Sequence, residues 1–404
     1  MKKPAVALPV TVFILVLTEA FGGSGESTVS FGLLALGATA RPSSYSGEYR
    51  RIFFGVVGAT LVVIATGASE VPTVVAVCSV SAVVAGEVAA TVVEDKASEA
   101  FVFSVVGGFA GVGAGFLMGF ASVPVVATTS FAVLAGVTAR STGASIWLTV
   151  VAAALGGWPA TVVAPPSSVF FLVPAAVFVV ALAAGAYLAD AMTVSGASAG
   201  ALLSYVVLVA GGIGWFVILA VFVATGSATT AYGRETKIEI GLAEHDDGRG
   251  FRNVFANGVV AFVAVILHAV SSSPTVESFA FLGFVGCMAT ATADTASSEI
   301  GSVAGKPRLI TTLERVPPGT DGGVSWQGEV ITVSASIAVA VVAYAVGFVT
   351  VEYAAVAAFG GIVGAHADSV LGATLEGKYL DNEGVNLSAC TVGAVTAGSV
   401  GYLL

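Results

Sequence analysis

The sequence predicts an all-α, polytopic helical membrane protein with about twelve to fifteen transmembrane segments and a cytoplasmic N-terminus. Three observations predict it. Hydrophobic residues are 56% of 404 and charged residues only 10%, with a mean hydropathy of +0.97; a soluble domain is about a quarter charged. Apolar runs of roughly 17–23 residues recur from end to end, long enough to cross about 30 Å of hydrocarbon. All 15 Lys and Arg fall in the N-terminal Lys pair or in every second connection between those runs, the pattern of loops retained on the cytoplasmic side.

Read in order, the apolar segments are residues 5–21, 28–40, 52–68, 71–92, 99–120, 122–138, 145–164, 168–189, 197–210, 212–228, 254–270, 276–292, 329–350, 352–374 and 387–404. The first follows Lys2 and Lys3 like a signal peptide, but it lacks a clear small-x-small cleavage site and many spans follow, so it reads as the first helix. Gly211, Gly212 and Gly214 either divide two short spans or break one re-entrant helix. The positively charged loops are then 41–51, 93–98, 139–144, 190–196, 229–253, 293–328 and 375–386, and the opposite connections, such as Ser271–Thr275, hold no Lys or Arg. A boundary near Ala164-Pro165-Pro166-Ser167-Ser168 separates an N-terminal region, 1–165, with short plain loops from a C-terminal region, 168–404, with long polar ones.

Composition excludes some functions. A net charge of −10 with six lysines argues against nucleic-acid binding. Cys78, Cys287 and Cys390 lie singly in apolar runs with no metal-ligand spacing, and read as buried thiols. Trp147, Trp158, Trp215 and Trp326 read as interfacial anchors.

The chemistry concentrates in one stretch. Seven charged residues fall between Asp294 and Asp321, among small residues and glycines. Asp294 and Glu299 stand at the mouth of a span, where carboxylates suit Mg²⁺, an ion usually held by one or two carboxylates plus substrate phosphates. Lys306-Pro307-Arg308 puts two cations on a Pro-stiffened turn, Arg as a fork and Lys as a point charge for polyphosphate. Gly319-Thr320-Asp321-Gly322-Gly323 lets backbone N–H groups converge on an anion. Taken singly, the acids equally suit a solvated helix end and the cations an ordinary positive-inside anchor; together they are the parts of a phosphoryl-transfer site. Two further loops face the same side. Arg252, Asn253 and Asn257 enter one helix, and Asp368 lies within a span, where an ionisable group is expensive and points to function as a metal ligand or base. The stretch from Asp381 to Ser388, with Asn386 in it, opens the final span.

These blocks resemble the membrane family of the chloroplast phytyl-phosphate kinases, also called the transmembrane-protein-nineteen family. The resemblance runs through Ala293-Asp294-Thr295, Ser298-Glu299 and Gly301, then Lys306-Pro307-Arg308, then Pro317-Pro318-Gly319-Thr320 and Gly322-Gly323. It continues in Asn257-Gly258, Asp368-Ser369, Val385-Asn386 and Asp190 to Gly196, and covers roughly 168–404. Ala296 stands where the family often has Trp, and Asp321 where it often has a small hydroxyl residue. The resemblance implies phosphoryl transfer from a nucleoside triphosphate, expected to be CTP, to an isoprenyl monophosphate such as phytyl phosphate, at the cytoplasmic face of the cell membrane. It implies that Asp294, Glu299 and Asp368 hold Mg²⁺ and that Lys306 and Arg308 neutralise developing charge. The Gly319, Thr320, Gly322 and Gly323 backbone would cradle phosphates, with Arg252, Asn257 and Asn386 orienting donor or acceptor. A CTP-dependent lipid nucleotidyltransferase would use the same parts, and a lipid or small-molecule transporter is the reading from a different class.

Overall fold

Small residues decide how this chain packs, because helices in lipid gain little from hydrophobicity and must approach closely to gain dispersion contacts. In the computed structural model, residues 73–143, 169–239, 248–304, 306–347 and 349–404 are described, with single positions at 149 and 153. The segments expected at 5–21, 28–40, 52–68 and 145–164 lie outside or almost wholly outside the described residues. Those described are helical almost throughout, and nine helical stretches among them are long and apolar enough to cross a membrane.

Two compact units divide the chain. The described part of the first (1–187 with 194–205) contains α1 (Thr73–Ala90), α2 (Lys96–Leu117), α3 (Ser122–Ser141), α4 (Val169–Leu188) and most of α5 (Val194–Val206). Helices α1, α2 and α3 pack pairwise around Val83, Phe103, Ala132 and Val137. A Cβ on Gly107 would stand 2.6 Å from the Ala82 carbonyl oxygen, so glycine is what lets α2 lie on α1. Asp95 caps α2 by accepting the Ser98 N–H at 2.8 Å. Arg140 ties the ends of all three helices together, pairing with Glu87 and, at 3.0 Å, with Glu99.

The second unit (188–193 with 206–404) contains a π-helical turn (Val207–Gly211), α6 (Ile213–Ala231), α7 (Arg234–Glu239), α8 (Phe251–Val270), α9 (Pro274–Ala304), β1 (Arg308–Leu309), β2 (Gly323–Val324), α10 (Trp326–Ala345), α11 (Val351–Leu375) and α12 (Asn382–Leu403). Helix α9 is its axis and packs against α6, α8, α10, α11 and α12. Alanines, glycines and threonines line the crossings. A Cβ on Gly361 would lie 2.5 Å from the Ala289 methyl, and one on Gly286 2.6 Å from the Gly393 carbonyl oxygen.

Four expectations change. Helix α9 runs to Ala304, so the polar connection begins near 305 and Asp294 and Glu299 are helical. The Thr290, Thr292, Ser297, Ser298 and Ser302 hydroxyls each donate to a carbonyl three or four residues earlier, which lets a polar sequence continue the helix. The span expected at 197–210 starts at Val194 and runs on through the π-helical turn to Gly211, where Gly212 (φ 87°) breaks it before α6. Helix α12 starts at Asn382, five residues before its apolar run, because Asp381 accepts the Gly384 N–H at 2.9 Å. Trp215 is buried rather than interfacial, with ring centres of Phe284, Phe281 and His268 at 4.6–4.8 Å. Trp326 is exposed, and Trp147 and Trp158 lie outside the described residues.

Candidate functional site

Helices α9 and α11 meet where Thr290 packs into the space left by Gly364. One turn further along each helix, four residues on, stand Asp294 and Asp368. The crossing therefore brings the two carboxyl groups into hydrogen-bonding contact. Asp368 Oδ2 is buried and receives no donor from the described residues. Two carboxylates so close repel unless a proton or a cation lies between them.

They line a cavity of about 260 Å³ in the second unit, built from the ends of α8, α9, α10, α11 and α12 and the connection between α9 and α10. That connection is a small hairpin. Arg308 pairs with Val324 and Leu309 with Gly323, and the Ile310 N–H donates to the Gly322 carbonyl at 3.0 Å. Gly322 (φ 72°) is pressed onto α11: a Cβ there would lie 2.5 Å from the Ser369 carbonyl oxygen. The glycine turn is thus anchored on Ser369, the neighbour of Asp368, and on Ala373 one turn further along α11.

Of the residues singled out from sequence, Asp294, Glu299, Asp368, Asn257, Asn386, Gly319, Thr320, Gly322 and Gly323 all line this cavity. Asn257 is buried, its Nδ2 donating to the Asn253 carbonyl at 3.0 Å. Within the turn, the Thr320 N–H donates to the Pro317 carbonyl and the Gly323 N–H to the Thr320 carbonyl, so two backbone donors already serve the loop itself. Glu299 has both oxygens engaged, accepting from Lys237 at 2.6 Å and Thr230 at 2.8 Å.

The three cations singled out from sequence stand outside the lining. Lys306 is exposed, and Arg308 is exposed with Nη1 donating to the Leu313 carbonyl at 2.7 Å. Arg252, also exposed, pairs with Asp381 and, at 3.5 Å, with Glu383. The Gly384 N–H, and beside it Arg252, hold the Asp381 carboxyl below the usual carboxylate range.

Sequence reasoning passed over Arg249, which lines the cavity three residues before Arg252. The glycines around it in Gly248-Arg249-Gly250 were the available signal: Gly248 (φ 70°) packs on Asp190 and Met192, and Arg249 exchanges backbone hydrogen bonds with Ala191 and Thr193. It also passed over the contact of His366 Nε2 with Glu329 Oε2 at 3.0 Å, and Glu376. Burial, then the carboxylates of Asp321, Asp294, Asp381 and Glu383, push the Glu376 carboxyl above its ordinary 4.5.

The lining is strongly acidic. Asp294, Glu299, Asp321, Glu329, Asp368 and Glu376 contribute carboxylates, while Arg249 is the sole Lys or Arg among the described residues that line it. Such a cavity attracts cations. Among the described residues no set of three or more His, Cys, Asp or Glu is arranged as a protein-only metal site. The Asp294–Asp368 pair with its orphaned buried oxygen does fit an ion that takes its other ligands from substrate and water.

Several proteins are similar to this chain. An uncharacterised membrane protein of Synechocystis is 37% identical over 191 residues, covering 46% of this chain and 72% of that protein. An uncharacterised membrane protein of Methanocaldococcus jannaschii is 33% identical over 196 residues, 48% of this chain and 79% of its own length. Protein VTE6, chloroplastic, of Arabidopsis thaliana is 32% identical over 217 residues, 52% of this chain and 65% of that protein. No solved structure matches the chain. The profile of the family described as integral membrane protein DUF92 matches residues 177–398, more than half the chain, and the chain belongs to that family.

Proposed function

We propose that this protein is a membrane phosphotransferase that moves the γ-phosphoryl group of a nucleoside triphosphate, CTP in the first instance, onto an isoprenyl monophosphate such as phytyl phosphate. The observation that carries the reading is the Asp294–Asp368 pair, two carboxyl groups in contact with one oxygen buried and unpartnered, inside an acidic cavity. The motif resemblance to phytyl-phosphate kinases supplies the substrate class.

On this reading Asp294 and Asp368 hold Mg²⁺, which when bound lowers the cost of bringing two phosphate groups together. The Gly319–Gly323 turn, fixed to α11 through Gly322, limits where the phosphates sit. Asn257 and Asn386 project from two other helices and orient donor or acceptor. The acceptor is already an anion, so no strong base is required and positioning supplies most of the rate. Chemistry at the helix ends lets the isoprenoid tail stay in the bilayer, and the distribution of Lys and Arg supports a cytoplasmic location for that end.

The test is an assay of purified protein in detergent with Mg²⁺, γ-³²P-labelled CTP and phytyl or geranylgeranyl monophosphate, resolved by thin-layer chromatography. Label is expected in a prenyl diphosphate. Asp294→Asn should abolish it, by roughly 10²–10³-fold or more, while leaving the protein folded and inserted. Release of the γ-label only within pyrophosphate would replace the kinase reading with a nucleotidyltransferase. No transfer across several donors and acceptors would turn the assignment toward transport.

A further inference from the structure

Three of the described cations are neutralised where they stand: Arg140 by Glu87 and Glu99, Lys237 by Glu299, Arg252 by Asp381 and Glu383. Arg249 differs. It lines the cavity, and among the described residues it is in no ion pair; what holds its guanidinium is a hydroxyl, Nη2 donating to Thr230 Oγ1 at 2.9 Å.

That hydroxyl is itself fixed. Thr230 Oγ1 donates its proton to Glu299 Oε1 at 2.8 Å, so its lone pair is turned toward Arg249. Glu299 Oε2 accepts from Lys237 Nζ at 2.6 Å. Lys237 is 4% exposed and spends its other two protons on the Thr229 and Thr230 carbonyls, at 3.0 and 3.2 Å. An ammonium has three donors and all are used. Every bond in the chain Lys237, Glu299, Thr230, Arg249 therefore has one possible direction. The Arg249 backbone is fixed separately, its N–H donating to the Ala191 carbonyl at 3.0 Å and its carbonyl accepting the Thr193 N–H at 3.1 Å. Gly226 leaves room for the guanidinium, since a Cβ there would stand 2.9 Å from Nη1.

We infer that Arg249 is the cation that binds phosphate oxygens in this cavity, and that Glu299, through Thr230, is a positioning residue for it rather than a metal ligand. The inference rests on reading the cavity as a site for phosphate esters. A guanidinium held by a neutral hydroxyl keeps its full charge for an anion, whereas one held by a carboxylate does not. Glu299 has no oxygen left for a metal without releasing Lys237 or Thr230, and releasing Lys237 would strand a buried ammonium.

The test uses the full chain in detergent and follows ³²P-pyrophosphate binding by equilibrium dialysis as Mg²⁺ is titrated. Pyrophosphate presents phosphate oxygens without a base or a lipid. Arg249→Gln should weaken binding about 10–100-fold, the worth of a lost charge-assisted hydrogen bond, with Arg249→Lys recovering part. Thr230→Val cuts the link to Glu299 without stranding a charge, and should weaken binding several-fold while the Mg²⁺ half-saturation stays where it is. Asp294→Asn should move that half-saturation upward. Wild-type binding that survives Arg249→Gln unchanged would overturn the Arg249 assignment and leave the phosphate-site reading standing. If Thr230→Val binds like wild type, or Glu299→Gln moves the Mg²⁺ dependence as Asp294→Asn does, the positioning role fails. Failure of the wild-type protein to bind pyrophosphate at any Mg²⁺ concentration would overturn both readings together.

Discussion

Glu376 caps the end of α11 and lines the cavity, outside the membrane-spanning part of the helix. Because burial and the surrounding carboxylates raise its pKa above 4.5, the folded protein binds its proton more tightly than the unfolded chain does. Stability must then fall as pH rises through and above the ordinary glutamate range, since the native state holds the extra proton there. A cation in the cavity would offset the same repulsion. The thermal midpoint of the detergent-solubilised protein should therefore decline as pH climbs past 4.5, Glu376→Gln should flatten part of that slope, and millimolar Mg²⁺ should stabilise more at the high end than at the low end. A midpoint that rises over this range in wild type, with no response to the substitution, would remove the repulsion argument. At this scale the sequence was informative about carboxylates and less so about cations. Asp294 and Asp368 stand out because charge is costly among apolar neighbours. Lys306, Arg308, Arg252 and Arg249 are chemically alike in the sequence, and only the fold separates the one beside the cavity from those turned to solvent.

Helix α9 does the positioning, and it does so with residues that look unremarkable on a hydropathy scale. Its apolar run ends near residue 292, yet the helix continues for twelve more residues to Ala304. Its Ser and Thr hydroxyls return to the helix's own carbonyls, and Glu299 is fixed to α7 by Lys237. A boundary read from hydrophobicity alone stops at the last apolar residue, because periodicity reports what is buried in lipid and not where backbone hydrogen bonding ends. The juxtaposition of Asp294 with Asp368 was equally hidden, since it depends on Thr290 meeting Gly364 on another helix. That dependence is testable. Gly364→Val would force a branched side chain into Thr290 and the Ala389 carbonyl, at a cost of about 1–3 kcal/mol, and would also spread α9 from α11 near the two carboxylates. Unfolding in a denaturing-detergent titration should register the loss, and turnover should fall further than stability does. Gly108, where a Cβ would meet nothing within 4 Å, is the matched control and should accept Ala with little effect.

Across the whole chain, charge is sorted by end. In the second unit the connections after α6, α9 and α11 carry Arg234, Lys237, Arg249, Lys306, Arg308, Arg315 and Lys378, while those after α8 and α10 carry no Lys or Arg. Antiparallel succession of α8 to α12 places the first group together at one end, and the cavity draws its lining from that end. The orientation we propose, with Lys and Arg retained on the cytoplasmic side, would put the cavity in the compartment that holds nucleoside triphosphates. This inference from charge can be checked without any enzymology, because Cys78, Cys287 and Cys390 are all buried and should stay silent to a membrane-impermeant maleimide. Thr312→Cys lies on the exposed hairpin beside the cavity, and Ser272→Cys on the exposed opposite turn. In intact cells the Ser272 variant should label at once and the Thr312 variant only after permeabilisation. The reverse pattern would put the cavity outside, where no nucleotide supply exists, and the phosphotransferase reading would fall with the topology. Labelling of both in intact cells would mean that the succession of spans assumed between α8 and α10 is wrong. Of the readings made from the whole sequence, this one depends least on side-chain detail, since it needs only the count of spans between two loops to be odd.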